Sequence, residues 1–212
     1  MPQSPPLHRP RSLATRLAAI LVGIALLTVG APAHSKLSAV AKRLIRSGKT
    51  EQYTIHSIAH KIPGGAARRI VHAPLDVVKK VVTKFGTYAA VDSRFRRSRI
   101  VGRTKGSTDV YLQIAIMSGV KKLWSLLRFR EYKSAGRVRI EGTQRRGNMD
   151  VFEVTWSLTK VDAKRTLLRL ELVMDPSFFL PAEMMHQEML VAAETMVTRL
   201  SRKAQERAKR KR

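Results

Sequence analysis

Cysteine is absent from all 212 residues. That excludes a disulfide framework, a thiolate zinc site, an iron–sulfur cluster, a nucleophilic thiol and the lipid-bearing cysteine of a bacterial lipoprotein. Acids are scarce, 15 Asp and Glu against 41 Lys and Arg. Most of them fall in turns or on polar strand positions (Asp92, Asp109, Asp150, Asp162), so no paired-carboxylate or Ser-His-Asp arrangement stands out. Long apolar runs are missing too: the apolar stretch Leu17–Val29 has 13 residues, short of the roughly 20 that a membrane span needs. What the chain has in excess is positive charge, +26. Such a bias implies a polyanionic partner: nucleic acid, an anionic membrane surface or lipopolysaccharide.

The N-terminus reads as a secretory leader. Arg9, Arg11 and Arg16 precede the apolar run, and Ala31-Pro32-Ala33 follows it as a small-residue cleavage site. The run lacks the polar face of a mitochondrial transit peptide. Cleavage near Ala33 leaves 179 residues of charge +23, destined for the periplasm or for secretion. The expected organisation is a leader over 1–33, a helical segment over 34–49, one ligand-binding domain over 50–205 and a basic tail over 206–212.

Periodicity sets the element order. Leu37–Arg46 has helical spacing and stops at Ser47-Gly48. Glu51–His60 and Ala66–His72 are expected strands, separated by a turn at Pro63-Gly64-Gly65. A helix follows Pro74, Gly86 ends it, and Thr87–Val91 is a short helical piece. From Arg94 to Asp175 the period is two, with strands over Arg94–Arg103, Asp109–Met117, Lys122–Tyr132, Arg137–Thr143, Val151–Val161 and Thr166–Met174. The short separators predict consecutive antiparallel hairpins with one dry face. Helical spacing returns from Pro181 to about Ala208. A curved sheet with one dry face needs a cover, and the last helix is the long one available, so the fold class is α+β: a helix-grip sheet wrapped around a C-terminal helix.

Several segments resemble a known family. Ala66–Val82 looks like the opening of START-like, polyketide-cyclase-like (SRPBCC) lipid-transport domains: a strand, V-x-A-P, then an apolar helix. Phe85-Gly86-Thr87-Tyr88 is similar to the aromatic-x-x-Tyr after that helix. Phe152–Leu158 resembles the late W-x-L strand, and Asp175-Pro176 with Leu180-Pro181 resembles the approach to the gripping helix. The likeness spans residues 50–205. Where many members have tryptophan after the short helical piece, this chain has Ala89-Ala90-Val91. The resemblance implies a cavity for a hydrophobic molecule such as a lipid, sterol or quinone, with no cofactor. It also admits a cyclase- or dehydrase-type enzyme.

The expected lining combines the dry strand faces with the last helix: Leu112, Ile114, Phe129, Phe152, Val154, Trp156, Leu170 and Leu172, then Met185, His186, Met189 and Met196. Met184 belongs to the same methionine cluster, whose adaptable side chains suit varied apolar ligands or simply fill a core. An enzyme would need a polar group inside, for which Tyr111, Tyr132 and His186 are the candidates. His56 and His60 lack the intervening Glu of a zinc protease helix, and Gly102–Thr108 departs from a phosphate loop by joining two strands. Arg94, Arg96, Arg97, Arg99 and Arg103 form an early basic strand. Arg202, Lys203, Arg207, Lys209, Arg210, Lys211 and Arg212 form a basic end suited to anionic lipid. A nucleic-acid or ribosome-binding module is the charge-driven alternative, disfavoured by the leader.

Overall fold

The computed structural model describes residues 38–56 and 61–210. The expected leader, His60, Lys211 and Arg212 lie outside the described residues. Helix α1 (Ala39–Ser47) begins where the Ser38 side chain accepts a hydrogen bond from the Ala41 N–H. It ends at Gly48, whose φ of 61° suits glycine. Its Ala41 and Leu44 pack with Ile70 and Leu167 in a small cluster of their own.

Strands β1 (Glu51–Ile55) and β2 (Gly64–Val71) pair antiparallel. Here one expectation is corrected: Gly64 and Gly65 belong to the strand rather than to a turn. A Cβ on Gly65 would fall on the backbone of Met189 and Leu190. The pair of glycines is therefore a seat for the last helix, since only a residue without a side chain lets two backbones approach this closely.

Helix α2 (Leu75–Val82) follows Pro74, which serves as its N-cap, and ends before the expected Gly86, which lies instead inside a short two-turn 3₁₀ helix over Phe85–Ala90. Six long strands follow: β3 (Phe95–Thr104), β4 (Ser107–Ile116), β5 (Lys121–Ser134), β6 (Arg137–Gly147), β7 (Met149–Lys160) and β8 (Thr166–Pro176). The sheet order is β1-β2-β8-β7-β6-β5-β4-β3, antiparallel throughout. β6 runs four residues beyond the expected Thr143, through a register shift against β5 at Leu126/Leu127. Further shifts occur in β3 and at the start of β7. Such bulges bend strands and increase twist, which lets one sheet curl around a helix.

That helix is α3 (Ala182–Lys209), 28 residues, or about 42 Å at 1.5 Å per residue. Met185, Met189, Ala193, Met196, Val197, Leu200 and Ala204 make its buried stripe. They face the dry side of the sheet, α2 and the short 3₁₀ helix in one continuous core. This is the helix-grip arrangement that the patterning predicts. Among the described residues no helix is long and apolar enough to cross a membrane.

Candidate functional site

Strand alternation turns Leu112 and Ile114 of β4, Phe129 of β5, Phe152, Val154 and Trp156 of β7, and Leu170 and Leu172 of β8 toward α3. Together with Met196 they line a cavity between sheet and helix. Its free volume is about 50 Å³, room for a few water-sized groups.

Met185, His186 and Met189 lie elsewhere. Met185 and Met189 are fully buried core residues on the β1–β2 side of the helix, and the Met189 sulfur accepts the Met174 N–H at 3.1 Å. His186 pairs its Nε2 with the Thr54 hydroxyl at 3.2 Å. The reason is a rotation of the stripes. The fully buried row of α3 holds residues 185, 189 and 193, whereas the cavity meets the flanking row Glu188, Ala192 and Met196. Met184 is exposed. Tyr111 and Tyr132 are absent from the lining: Tyr111 packs near Trp124, with ring centroids 6.3 Å apart, and Tyr132 is exposed.

Sequence reasoning did not place Tyr88, Arg94, Phe95, Ala115, Ile116, Met174, Glu188 or Ala192 in the lining, yet all are there. Tyr88 carried a signal, the aromatic-x-x-Tyr motif. Its hydroxyl donates to the Val82 carbonyl at 2.8 Å. Burial pushes this phenol far above its ordinary range, and the nearby Trp156 indole acts in the opposite direction.

The cavity opens beside an exposed basin of about 490 Å³ that shares Arg94, Ala115, Ile116 and Glu188 with it. Asp92, 3% exposed, organises this region. Arg94 donates from Nε to the Asp92 Oδ2 at 3.1 Å, and Arg199 lies 3.8 Å from Oδ1 while donating to the Val91 carbonyl at 2.7 Å. Burial alone would raise the Asp92 carboxyl, but hydrogen bonds from the Arg94 side chain and backbone, with the charges of Arg94 and Arg199, hold it below its usual value. Arg94 is thus engaged, whereas Glu188 makes no hydrogen bond or ion pair with another described residue.

Exposed apolar side chains accompany these charges. Val120 is 76% and Phe179 93% exposed, and Met184 and Val191 are exposed as well. The Lys121 ammonium sits 5.3 Å from the Phe178 ring, joining the β4–β5 corner to the segment before α3. The cations of the early basic strand divide: Arg94 serves Asp92, while Arg97 and Arg99 are exposed and form no ion pair with a described residue. At the far end of α3, Lys203 reaches the Ala90 carbonyl at 3.4 Å and Arg202 lies 4.0 Å from Glu206. Arg207, Lys209 and Arg210 follow, with the helix continuing through Lys209. The described residues contain no cluster of three His, Asp or Glu that could hold a metal ion.

No protein-family model and no curated protein matches the chain by sequence. Solved structures do match by fold. One is a STAR-related lipid transfer protein from Xanthomonas axonopodis, with TM-score 0.62, 13% identity and coverage of 73% of this chain and 93% of that one. Another is human StAR-related lipid transfer protein 5, with TM-score 0.61, 13% identity and coverage of 81% and 94%. An aromatase/cyclase from a Streptomyces species matches with TM-score 0.53, 15% identity and coverage of 74% and 95%. The chain has the START-like helix-grip fold.

Proposed function

We propose that the protein is an exported carrier that holds an apolar molecule between the sheet and α3 and exchanges it at an anionic membrane surface. The observation that carries this reading is the cavity itself. It is a dry space inside the core, walled by aliphatic and aromatic side chains and opening at one end beside a charged basin. The lipid-transfer and cyclase activities named for the proteins of like fold support a hydrophobic ligand here. They do not choose one, because a fold hosts many functions.

The space as it stands is smaller than the 300–1,000 Å³ typical of ligand sites, so loading requires widening. Met174 and Met196 on the wall are unbranched and repack readily. The row Glu188–Ala192–Met196 stands at the margin of the helix, where a small outward tilt opens the groove. A ligand that buries about 300 Å² of apolar surface gains roughly 7 kcal/mol before the costs of ordering.

Docking has two candidate contacts. The basic end of α3 supplies charge, about 1 kcal/mol per residue held near an anionic bilayer. The apolar fringe of Val120, Phe179, Met184 and Val191 supplies insertion at the cavity's open end. The test is native mass spectrometry with lipid extraction on protein purified under mild conditions, followed by transfer between vesicles. A co-purifying apolar molecule, and transfer that quickens with anionic lipid, are expected. Protein that carries nothing and takes up no lipid, sterol or quinone overturns the reading.

One observation favours a second reading. Arg97 and Arg99 on β3, Arg130 on β5 and Arg146 on β6 are exposed and form no ion pair with a described residue, and the Tyr111–Trp124 pair lies on the neighbouring β4 and β5. Cations beside aromatics suit a single-stranded nucleic acid. Binding that falls steeply with salt, in protein that keeps Met1 and stays in the cytosol, would support it over the carrier.

A further inference from the structure

The polar groups on the cavity wall are few, and most are engaged. The Tyr88 hydroxyl donates to Val82, Arg94 donates to Asp92, and Glu188 at the open end offers an acceptor. Trp156 differs. Its side chain is 1% exposed and lines the cavity, yet its indole Nε1 has no hydrogen-bond partner among the described residues. The residues opposite it, Ile140 on β6 and Leu170 on β8, are aliphatic and offer no side-chain acceptor. The indole interacts with the Tyr88 oxygen, whose own proton goes to Val82, but this contact falls short of hydrogen-bond geometry and leaves the N–H poorly satisfied. A buried tryptophan normally finds a partner for its N–H. Phenylalanine would fill the same wall without leaving a donor unmet.

We infer that the molecule held in this cavity carries a hydrogen-bond acceptor, a carbonyl, ether or hydroxyl oxygen, that seats against the Trp156 N–H. The inference rests on the reading of the cavity as a ligand site and narrows it. A pure hydrocarbon leaves the donor unmet, whereas an oxygen-bearing polycycle or acyl chain satisfies it. The wall then specifies polarity along the ligand: an acceptor within, an apolar body against Phe152, Leu172 and Met196, and at the open end any group that tolerates the Glu188 carboxylate.

The test compares a fluorescent propionyl-naphthalene with its propyl counterpart, identical except for the carbonyl. One net hydrogen bond corresponds to a preference of about two- to tenfold for the ketone. Trp156→Phe should erase that preference while leaving the affinity for the propyl probe nearly unchanged. A second readout needs no cavity variant. In Trp124→Phe protein the one remaining indole N–H resonance, followed by nuclear magnetic resonance, should move downfield with the ketone and not with the propyl probe. Equal binding of both probes with an unmoved resonance overturns the acceptor inference alone and leaves the cavity a ligand site. A preference that persists in Trp156→Phe overturns it too. Failure of both probes to bind overturns the carrier reading and this inference with it.

Discussion

Gly65→Ala tests the contact on which the grip depends. The added methyl would sit 2.7 Å from the Met189 Cβ and would also strike the backbone of Met189 and Leu190. None of these atoms is the end of a flexible side chain, so strand and helix must separate locally. Forced overpacking costs about 1–3 kcal/mol, and rigid backbone neighbours place this site in the upper half of that range. The gain from replacing a strand glycine, about 0.5–1 kcal/mol, offsets part of it, for a net loss near 2 kcal/mol. With a urea slope of about 2 kcal/mol/M the unfolding midpoint falls by roughly 1 M. Gly86→Ala is the control, because its Cβ would meet nothing within 4 Å and its φ is not left-handed. That variant should match the wild type or gain up to about 1 kcal/mol. Urea melts of both variants decide the matter. A Gly65→Ala protein within about 0.5 kcal/mol of wild type, or a Gly86→Ala protein that loses as much, refutes the claim that β2 is glycine-rich to seat α3.

Three further outcomes are expected. Asp92→Asn should lower stability at pH 7 by about 2–4 kcal/mol, since it removes the buried negative charge that faces Arg94 and Arg199 and turns one of the two acceptor oxygens into a donor. The Asp92 carboxyl titrates below its ordinary 3.8 in the folded state, so its contribution is complete well above that pH and is lost as pH falls through the native value. The gap between variant and wild type should accordingly narrow in acid melts below about pH 4. Ala192→Leu, at the helix margin of the cavity, should cut uptake of a fluorescent lipid at least tenfold while shifting the unfolding midpoint little; unchanged uptake would remove the cavity as the site. Deleting Arg207–Arg212 should weaken binding to anionic vesicles most at low salt, whereas Phe179→Ser should weaken it at every salt concentration; identical salt profiles would contradict a division between charge and insertion.

The sheet's contribution to the cavity was legible because side chains alternate. Once β4, β7 and β8 each have one dry face, Leu112, Ile114, Phe152, Val154, Trp156, Leu170 and Leu172 have to converge, and no other register buries them. The helix was harder. Hydrophobic periodicity finds the most apolar row, 185–189–193, and that row packs against β2. The cavity lies instead under the next row, where Glu188 and Ala192 give no apolar signal. Gly64-Gly65 misled for a related reason, since a turn and a close backbone approach both demand glycine and look alike in a sequence. Arg94 read as one surface cation among five. Its role comes from Asp92, two residues earlier, which the chain folds into a 3%-exposed site. Burial of that kind is a tertiary fact with no local pattern.

The geometry of α3 separates the two contacts proposed with the membrane. From Glu188, at the open end of the cavity, to Arg207 the helix rises about 28 Å. The Debye length at physiological salt is about 8 Å, so the cations of the basic end exert almost no field at the opening. They cannot draw a ligand's head group out of the cavity; they can only hold the protein near the bilayer. Release must come from groups nearer the opening: the basin's Arg96 and Arg199, and the exposed apolar side chains Val120, Phe179, Met184 and Val191. One weak signal of each kind gives reversible attachment, whereas strong anchoring by either would hinder a carrier from leaving. In the proposed carrier, distance along a single helix keeps tethering and opening independent, so each can be weakened without the other.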